Sequence, residues 1–313
     1  MSPAPDTTVA PGASPAETDA DLEAAPPRRP ASRLSATLAL VRRYPLAALA
    51  ALVLAAIALG AIFAPFMGTT DPTALAPARR LAGASAENWL GTDHLGRDIW
   101  SRLVFGARVS VVVGLAVAVL AIVVGLVIGL FTGFIRWLDP IVMRVMDGLM
   151  AIPGILLAIA LVSVSGASIT TVIIAIVVPE VPRVVRLVRA VVLSVREEPY
   201  VEAAISVGTP LVKILWRHVL PNCVPPLIVQ ATYVAASAML TEAILSFLGA
   251  GTPPTVPSWG NMVAEARLLF QIAPWNLLYP GIALAITILA VNILGDALRD
   301  RLDPKLAKRV GQR

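Results

Sequence analysis

The chain has 313 residues, of which 57% are hydrophobic and 14% charged, and its mean hydropathy is +0.80. An ordinary soluble domain has about 45–50% apolar and about 25% charged residues, and the surface of a soluble fold grows too fast relative to its volume to hide this excess. The composition excludes a disordered chain, a disulfide scaffold and a conventional soluble enzyme; it implies a polytopic membrane protein. A single cysteine, Cys223, excludes an intrachain disulfide and a Cys-based zinc site, and two histidines, His94 and His218, leave little for a His-rich metal centre. The net charge of +5 reads first as membrane topology, and an aromatic content of 5% argues against base stacking on nucleic acid.

Residues 1–40 are rich in Pro, Ala and acidic residues without periodicity, which predicts a disordered cytoplasmic tail. The first apolar run starts after Arg42-Arg43 and is too long for the core of a signal peptide. Leu46–Phe66 is uncharged and long enough to cross a hydrocarbon core, which needs roughly 20 apolar residues. Between this span and the next, Asp93–Arg97 and Asp98–Arg102 are i,i+4 pairs, and Leu95, Ile99 and Leu103 share a face. This predicts an amphipathic helix lying at the interface, in preference to a catalytic or metal site built from Asp93, His94 and Asp98. Val109–Leu130 is the second span, and its Gly114, Ala118, Gly125 and Gly129 allow close helix packing.

The uncharged stretch from Gly148 to Pro179 is too long for one helix, and Ser163–Ser168 is a natural break within it. A third span is expected from about Ile141, with Arg144 and Asp147 paired on one face. A fourth runs to about Val185 and carries Glu180. The fifth is Val224–Leu248, containing Glu242, and the sixth is Tyr279–Leu298, with Asp296 at its end. Six spans with both termini inside place most Lys and Arg on inner segments. The exception is the outer segment 68–107, where Arg79, Arg80, Arg97 and Arg102 accompany four acidic residues. Merging the third and fourth spans would put the basic loop 186–223 and the basic C-terminal tail on opposite sides.

That loop is the longest inner one. Glu202–Gly208 reads as a short helix stopped by glycine, and Leu211, Ile214, Leu215 and Val219 follow at helical spacing. Leu220-Pro221-Asn222 then predicts a break before the fifth span. A helix–turn–helix elbow of this kind suits a groove on a partner protein. The carboxylate of Glu242 is expensive inside a span unless it faces a cavity or a partner; a hydrogen bond holding helices together is favoured over contact with a solute.

Glu202-Ala203-Ala204, Gly208 and Leu220-Pro221 resemble the EAA loop of permease subunits of bacterial ABC importers. The general pattern has an apolar residue ten positions after the glycine, where this chain has His218. Arg217-His218-Val219-Leu220-Pro221-Asn222 is instead similar to the dipeptide, oligopeptide and nickel branch, C-type permeases. Gly91-Thr92-Asp93 through Gly96-Arg97-Asp98, Glu242 through Gly249 with Pro257–Asn261, and Asn292 with Leu294–Asp300 resemble further signatures of that branch. The resemblance covers about residues 40–306.

It implies an all-α membrane protein of six transmembrane helices with a type I, MetI-like core. The expected parts are a tail over 1–40, a first helix and outer loop with the amphipathic helix over 41–107, a five-helix core over 108–300 and a cytoplasmic tail over 301–313. It further implies a multi-pass protein of the bacterial cytoplasmic (inner) membrane that forms half of a path for peptides. Its implied partners are two ATP-binding subunits, a second homologous permease, an extracytoplasmic solute-binding protein and the lipid bilayer, but no nucleic acid. Glu202, Ala203, Ala204, Gly208, His218, Leu220 and Pro221 would couple it to the ATPase; Glu242 and Asn292 are candidates for pathway or structural roles. The sequence has no Gly-x-x-x-x-Gly-Lys-Ser/Thr loop, so ATP and magnesium are expected on partner subunits, with no cofactor, metal or catalytic residue in this chain. Alternatives are an ion-driven secondary transporter, or the same role for nickel or glutathione-like solutes.

Overall fold

Helix α1 (Pro45–Ile62) opens with proline at its first position, where a missing N–H costs nothing, and a short 3₁₀ turn at Ala64–Phe66 follows it. The computed structural model describes Arg42 and residues 44–302. The tail expected over 1–40, and all but Arg301 and Leu302 of the tail expected over 301–313, lie outside the described residues. No strand occurs among the described residues; an isolated bridge joins Thr92 and Asp98.

Helix α2 (Ile99–Phe134) begins ten residues before the expected second span, because the Asp98 carboxylate caps it, accepting from the Ser101 amide at 2.7 Å. The expected third span is a bent pair, α3 (Leu138–Ala151) and α4 (Gly154–Ser165), meeting at 88°. Pro153 causes the bend by pushing Ile152 into extended backbone. The break expected at Ser163–Ser168 is present: Gly166 adopts φ +83°, and Ser168 caps α5 (Ile169–Arg196) through the Thr171 amide. Helix α5 runs well past Val185, where the fourth span was expected to end.

The short helix α6 (Pro199–Ser206) leads by a tight turn into α7 (Leu211–Phe247). The break expected at Leu220-Pro221-Asn222 is absent. A π-helical turn at Leu215–Val219 widens the helix just before Pro221, so the chain passes the proline without stopping. Helices α8 (Trp259–Ala266) and α9 (Trp275–Leu302) complete the bundle. Among the described residues α1, α2, α7 and α9 are each long and apolar enough to cross a bilayer, and α3 with α4 pass the same test together. Helix α5 has 28 residues, about 42 Å at the helical rise. It carries Glu180, Arg183, Arg186 and Arg189, so composition alone does not mark it.

The most intimate contact in the bundle is α2 on α5. Gly125, Gly129 and Gly133 recur every four residues and meet Val184, Val188 and Val192 at the same interval. A Cβ on Gly129 would lie 2.7 Å from the Val188 Cβ, and one on Gly133 2.7 Å from the Val192 Cβ. The three valines are buried. Backbone contact of this kind supplies dispersion where lipid removes the hydrophobic drive between helices. Gly114 admits Met239 of α7 in the same way. The outward side chains of α2 and α9, Leu115, Val119, Val123, Ile282, Ile286 and Leu289, are apolar and exposed, as a lipid-facing surface requires.

Gly129→Val is expected to destabilise the seam by about 1–3 kcal/mol, an overpacking penalty. Val188→Ala in the same chain should recover part of it. Thermal unfolding of the detergent-solubilised protein measures both; an unchanged midpoint for Gly129→Val would contradict the seam.

Candidate functional site

The elbow after α5 is built by capping. The amides of Gly208 and Thr209 donate to the carbonyls of Ile205 and Ala204 at 2.9 and 3.0 Å, and Gly208 takes φ +80°, a conformation that side-chain-bearing residues rarely adopt. Val201 beneath α6 and Ile214, Leu215 and Val219 at the start of α7 are buried, with Leu211 partly so. The apolar spacing read from the sequence therefore faces the bundle. Glu202, Ala203 and Gly208 face outward, and Ala204 is half-buried. His218 stacks at 5.9 Å from the Tyr200 ring, and Asn222 Nδ2 donates to the His218 carbonyl at 2.7 Å and to the Tyr200 hydroxyl at 3.3 Å. This triad ties the two arms of the elbow together. Leu220 is half-buried and Pro221 exposed.

The top of the elbow is apolar. Val207 is 85% and Trp216 75% exposed, with Val212 and Ile205 also uncovered, and Lys213, Arg217 and Glu202 surround them. Beside it an open cleft of about 580 Å³ is lined by Arg136, Arg196, Glu197, Glu202 and Ile205. Exposed apolar groups rimmed by charge mark an interaction surface.

At the other end of the molecule the expected amphipathic helix does not form. Residues 91–98 are a looped strap in which Gly91 and Gly96 take φ +81° and +78°, and a Cβ on Gly96 would strike the Ala76 carbonyl. The Asp93–Arg97 pair is made, Nε to Oδ2 at 2.7 Å. The Asp98–Arg102 pair is not: Asp98 accepts from Ser101 and Asn88, and Arg102 reaches Asp93 at 2.5 Å and Glu265 of α8 at 2.7 Å. Arg97 also bonds Glu265, at 2.5 Å. Two carboxylates and two guanidinium groups, nearly all buried, thus bolt the strap to α8. The Thr92 hydroxyl donates to the Arg79 carbonyl and closes the strap from below.

Burial opposes ionisation of Asp93, but Arg97, Arg102 and the Leu95 and Arg97 amides outweigh it and hold the carboxyl below its ordinary value of 3.8. Donor atoms of Asp93, His94 and Glu265 lie within 4.8 Å of one another, a spacing that suits a cation. The two carboxylates are already bonded by two arginines, so the cluster fits an ion-pair bolt and not a metal centre.

Glu242 is 0% exposed near the end of α7. Its Oε1 accepts from the hydroxyls of Ser246, Ser258 and Thr252 at 2.9, 3.0 and 3.4 Å. Ser258 also caps α8, and the Asn261 amide holds the carbonyls of Thr252, Pro253 and Val256. The carboxylate thereby links α7, the loop 249–258 and α8. Asn292 lies exposed on α9, apart from this cradle.

The Arg144–Asp147 pair expected on α3 is replaced by Asp147 to Arg186 of α5, at 2.6 Å. Helix geometry places residues three apart on one face, but Arg186 of the neighbouring helix claims the carboxylate. Two further acids are also engaged by arginines of α5: Glu180, within α5 itself, pairs with Arg183 three residues on at 3.0 Å, and Asp139 of α3 receives the Arg189 fork at 2.5 and 2.6 Å.

Residues 121–308 match the family described as the binding-protein-dependent transport system inner membrane component. The chain belongs to that family. It is 51% identical over 270 residues to a probable peptide ABC transporter permease of Sinorhizobium fredii, covering 86% of this chain and 92% of that one. It is 40% identical to the dipeptide transport system permease protein DppC of Alkalihalophilus pseudofirmus, covering 85% and 88%. A chain of the MetNI methionine ABC transporter, solved in inward-facing conformations, superimposes with a TM-score of 0.53 at 19% identity, over 64% of this chain and 96% of that one. The MetI-like fold is thereby shared, and this permease-family member is a multi-pass membrane protein.

Two outcomes follow for this family member. The depressed Asp93 carboxyl contributes stability that is fully present above pH about 4 and is lost as pH falls through its lowered folded value. Amide protection factors over residues 91–102, taken relative to the intrinsic exchange rate at each pH, should therefore be constant from pH 7 to 5, whereas Asp93→Asn should lower them at pH 7. Glu242→Gln keeps an acceptor for the three hydroxyls and should leave uptake within about twofold of the parent. Glu242→Ala should lower stability by about 1–3 kcal/mol by orphaning them; a large uptake loss in Glu242→Gln would assign the residue to the path instead.

Proposed function

We propose that the protein is a transmembrane permease subunit of an ATP-driven ABC importer for dipeptides, oligopeptides or a closely related solute. The observation that carries this reading is the elbow: a rigid, capped helix pair with a buried underside and an exposed apolar top, on a chain of this family. Six spans, counting α5 and the bent α3–α4 pair, put the elbow and both termini on the cytoplasmic side. The partners in this reading are two ATP-binding subunits, a second homologous permease and an extracytoplasmic solute-binding protein. ATP and magnesium bind to the ATPase subunits, and this chain holds neither cofactor nor catalytic residue. The names of the relatives from Sinorhizobium and Alkalihalophilus support peptides as the solute.

Mechanistically, ATP closes the two ATPases and the elbow moves with them. Small residues, Ala203 and Ala204, permit close approach, and Glu202 meets a basic residue across the contact. The two permeases then exchange inward- and outward-facing states around a shared path. ATP drives the exchange only insofar as the elbow contact differs in free energy between the states.

Gly208→Val tests this. A Cβ there meets no neighbour, so the substitution strains only the positive-φ turn, by about 1–2 kcal/mol. The expected result is a permease present in the membrane at parental level, with peptide uptake reduced about tenfold (about 1.4 kcal/mol of lost coupling) and ATP hydrolysis no longer stimulated by the loaded binding protein. Unchanged uptake would refute the assignment. Purification supplies the second arm: an ATPase should accompany the permease, as it would not accompany an ion-driven transporter.

A further inference from the structure

Helix α5 presents a charged face where its neighbours present oil. Over the middle of α2 and α9 the large exposed side chains are Leu, Val and Ile, with the exposed charges Arg108, Asp296 and Arg299 near the helix ends, but on α5 they include Arg183, 47% exposed at the side chain, and Arg186, 44% exposed, the latter paired with Asp147 of α3, 55% exposed. Arg183 lies fourteen residues from the start of α5 and Arg186 seventeen, about 21 and 25 Å along the axis. A hydrocarbon core is about 30 Å thick; with α5 entering it at Ile169, Arg183 lies inside the core and Arg186, expected from the sequence to open the inner loop 186–223, lies towards its inner edge. Charged side chains at that depth do not face lipid; they face a water-filled cavity or one another.

The chemistry of the pairs separates a path from a clamp. Arg189, nearer the elbow, is gripped bidentately by Asp139, with Nε and Nη2 both engaged, and is less exposed. Arg183 donates a single bond, Nη1 to Glu180 Oε1, and Arg186 a single bond, Nη2 to Asp147 Oδ1. A guanidinium carries five N–H donors in a planar fork that matches a carboxylate. Both arginines are held in place by one acid and keep their remaining donors on the open side. Glu180 is itself anchored to α7 through the Ser237 hydroxyl at 3.4 Å, which fixes the depth of Arg183.

We infer that Arg183 and Arg186 line the aqueous part of the translocation path and receive the carboxylate groups of the passing solute, while Glu180 and Asp147 position them. The Arg186–Asp147 step suits a zwitterion, since it exposes a cation for the carboxylate beside an anion for the ammonium group. This inference rests on the importer reading above and identifies the face of the chain that the solute touches.

The test uses the whole importer, with both permeases, the ATPases and the binding protein, reconstituted in liposomes on a Cys223→Ala background. Arg183 lies about 21 Å along α5, inside the hydrocarbon core, with its side chain 47% exposed. Arg183→Cys is expected to react with a charged, membrane-impermeant methanethiosulfonate at least about tenfold faster than Leu115→Cys on the apolar face of α2, as a water-filled against a lipid-covered position requires. Arg186→Gln should reduce dipeptide uptake about tenfold, the loss of one charge-assisted bond, with the complex still assembling and hydrolysing ATP; Arg186→Lys should recover part of the uptake. Equal reactivity at the two cysteines, or parental uptake by Arg186→Gln, would overturn the inference. Failure of the parental complex to take up dipeptide at all would instead reject the importer reading.

Discussion

The α2–α5 seam sets the geometry on which the rest of the molecule depends. With glycine every fourth residue on one helix and valine every fourth on the other, the backbones approach more closely than any side chain would permit. That spacing fixes α5 in rotation as well as position. The valine edge of α5 is spent on α2, so Arg183 and Arg186 must face elsewhere, and the end of α5 at Arg196 is where α6 must begin. The charged face and the elbow are both consequences of one packing stripe.

The outer end is secured differently. There the fasteners are polar: the Asp93, Arg97, Arg102 and Glu265 cluster, and Glu242 among three hydroxyls. Buried ion pairs contribute little net stability against an apolar replacement, but removing one partner is severe. Such clusters specify arrangement. They hold the strap over 91–98, the end of α7 and α8 in one register, which apolar contacts, being non-directional, would leave free to slide.

The parts legible in the sequence are those whose causes are local. Gly208 and the inward-facing series Leu211, Ile214, Leu215 and Val219 recur at helical spacing, so periodicity finds them. Gly125 and Gly129 announce close packing without naming the partner helix. What escaped is long-range. Arg102 finds Glu265 across 163 residues, and Asp147 finds Arg186 across 39, where the i,i+3 and i,i+4 rules cannot see. The strap at 91–98 has helical spacing of charges, yet Gly91 and Gly96 at positive φ prevent a helix, and that conformation becomes evident only beside the Ala76 and Ala82 carbonyls. Pro221 signals a break, but a π turn one step upstream absorbs it.

That absorption has a mechanical result. Because no loop separates the elbow from α7, the 37 residues from Leu211 to Phe247 form a single strut about 55 Å long. One tip carries Trp216 and the exposed apolar knob; the other carries Glu242 and its hydroxyls. A helix of this length is far stiffer along its axis than any loop, so a load applied at the knob arrives at the opposite mouth as rotation or tilt and not as slack. The two mouths of the subunit are thus geared to each other by one member, with Pro225 and Pro226 near its loaded end as the places where it can flex.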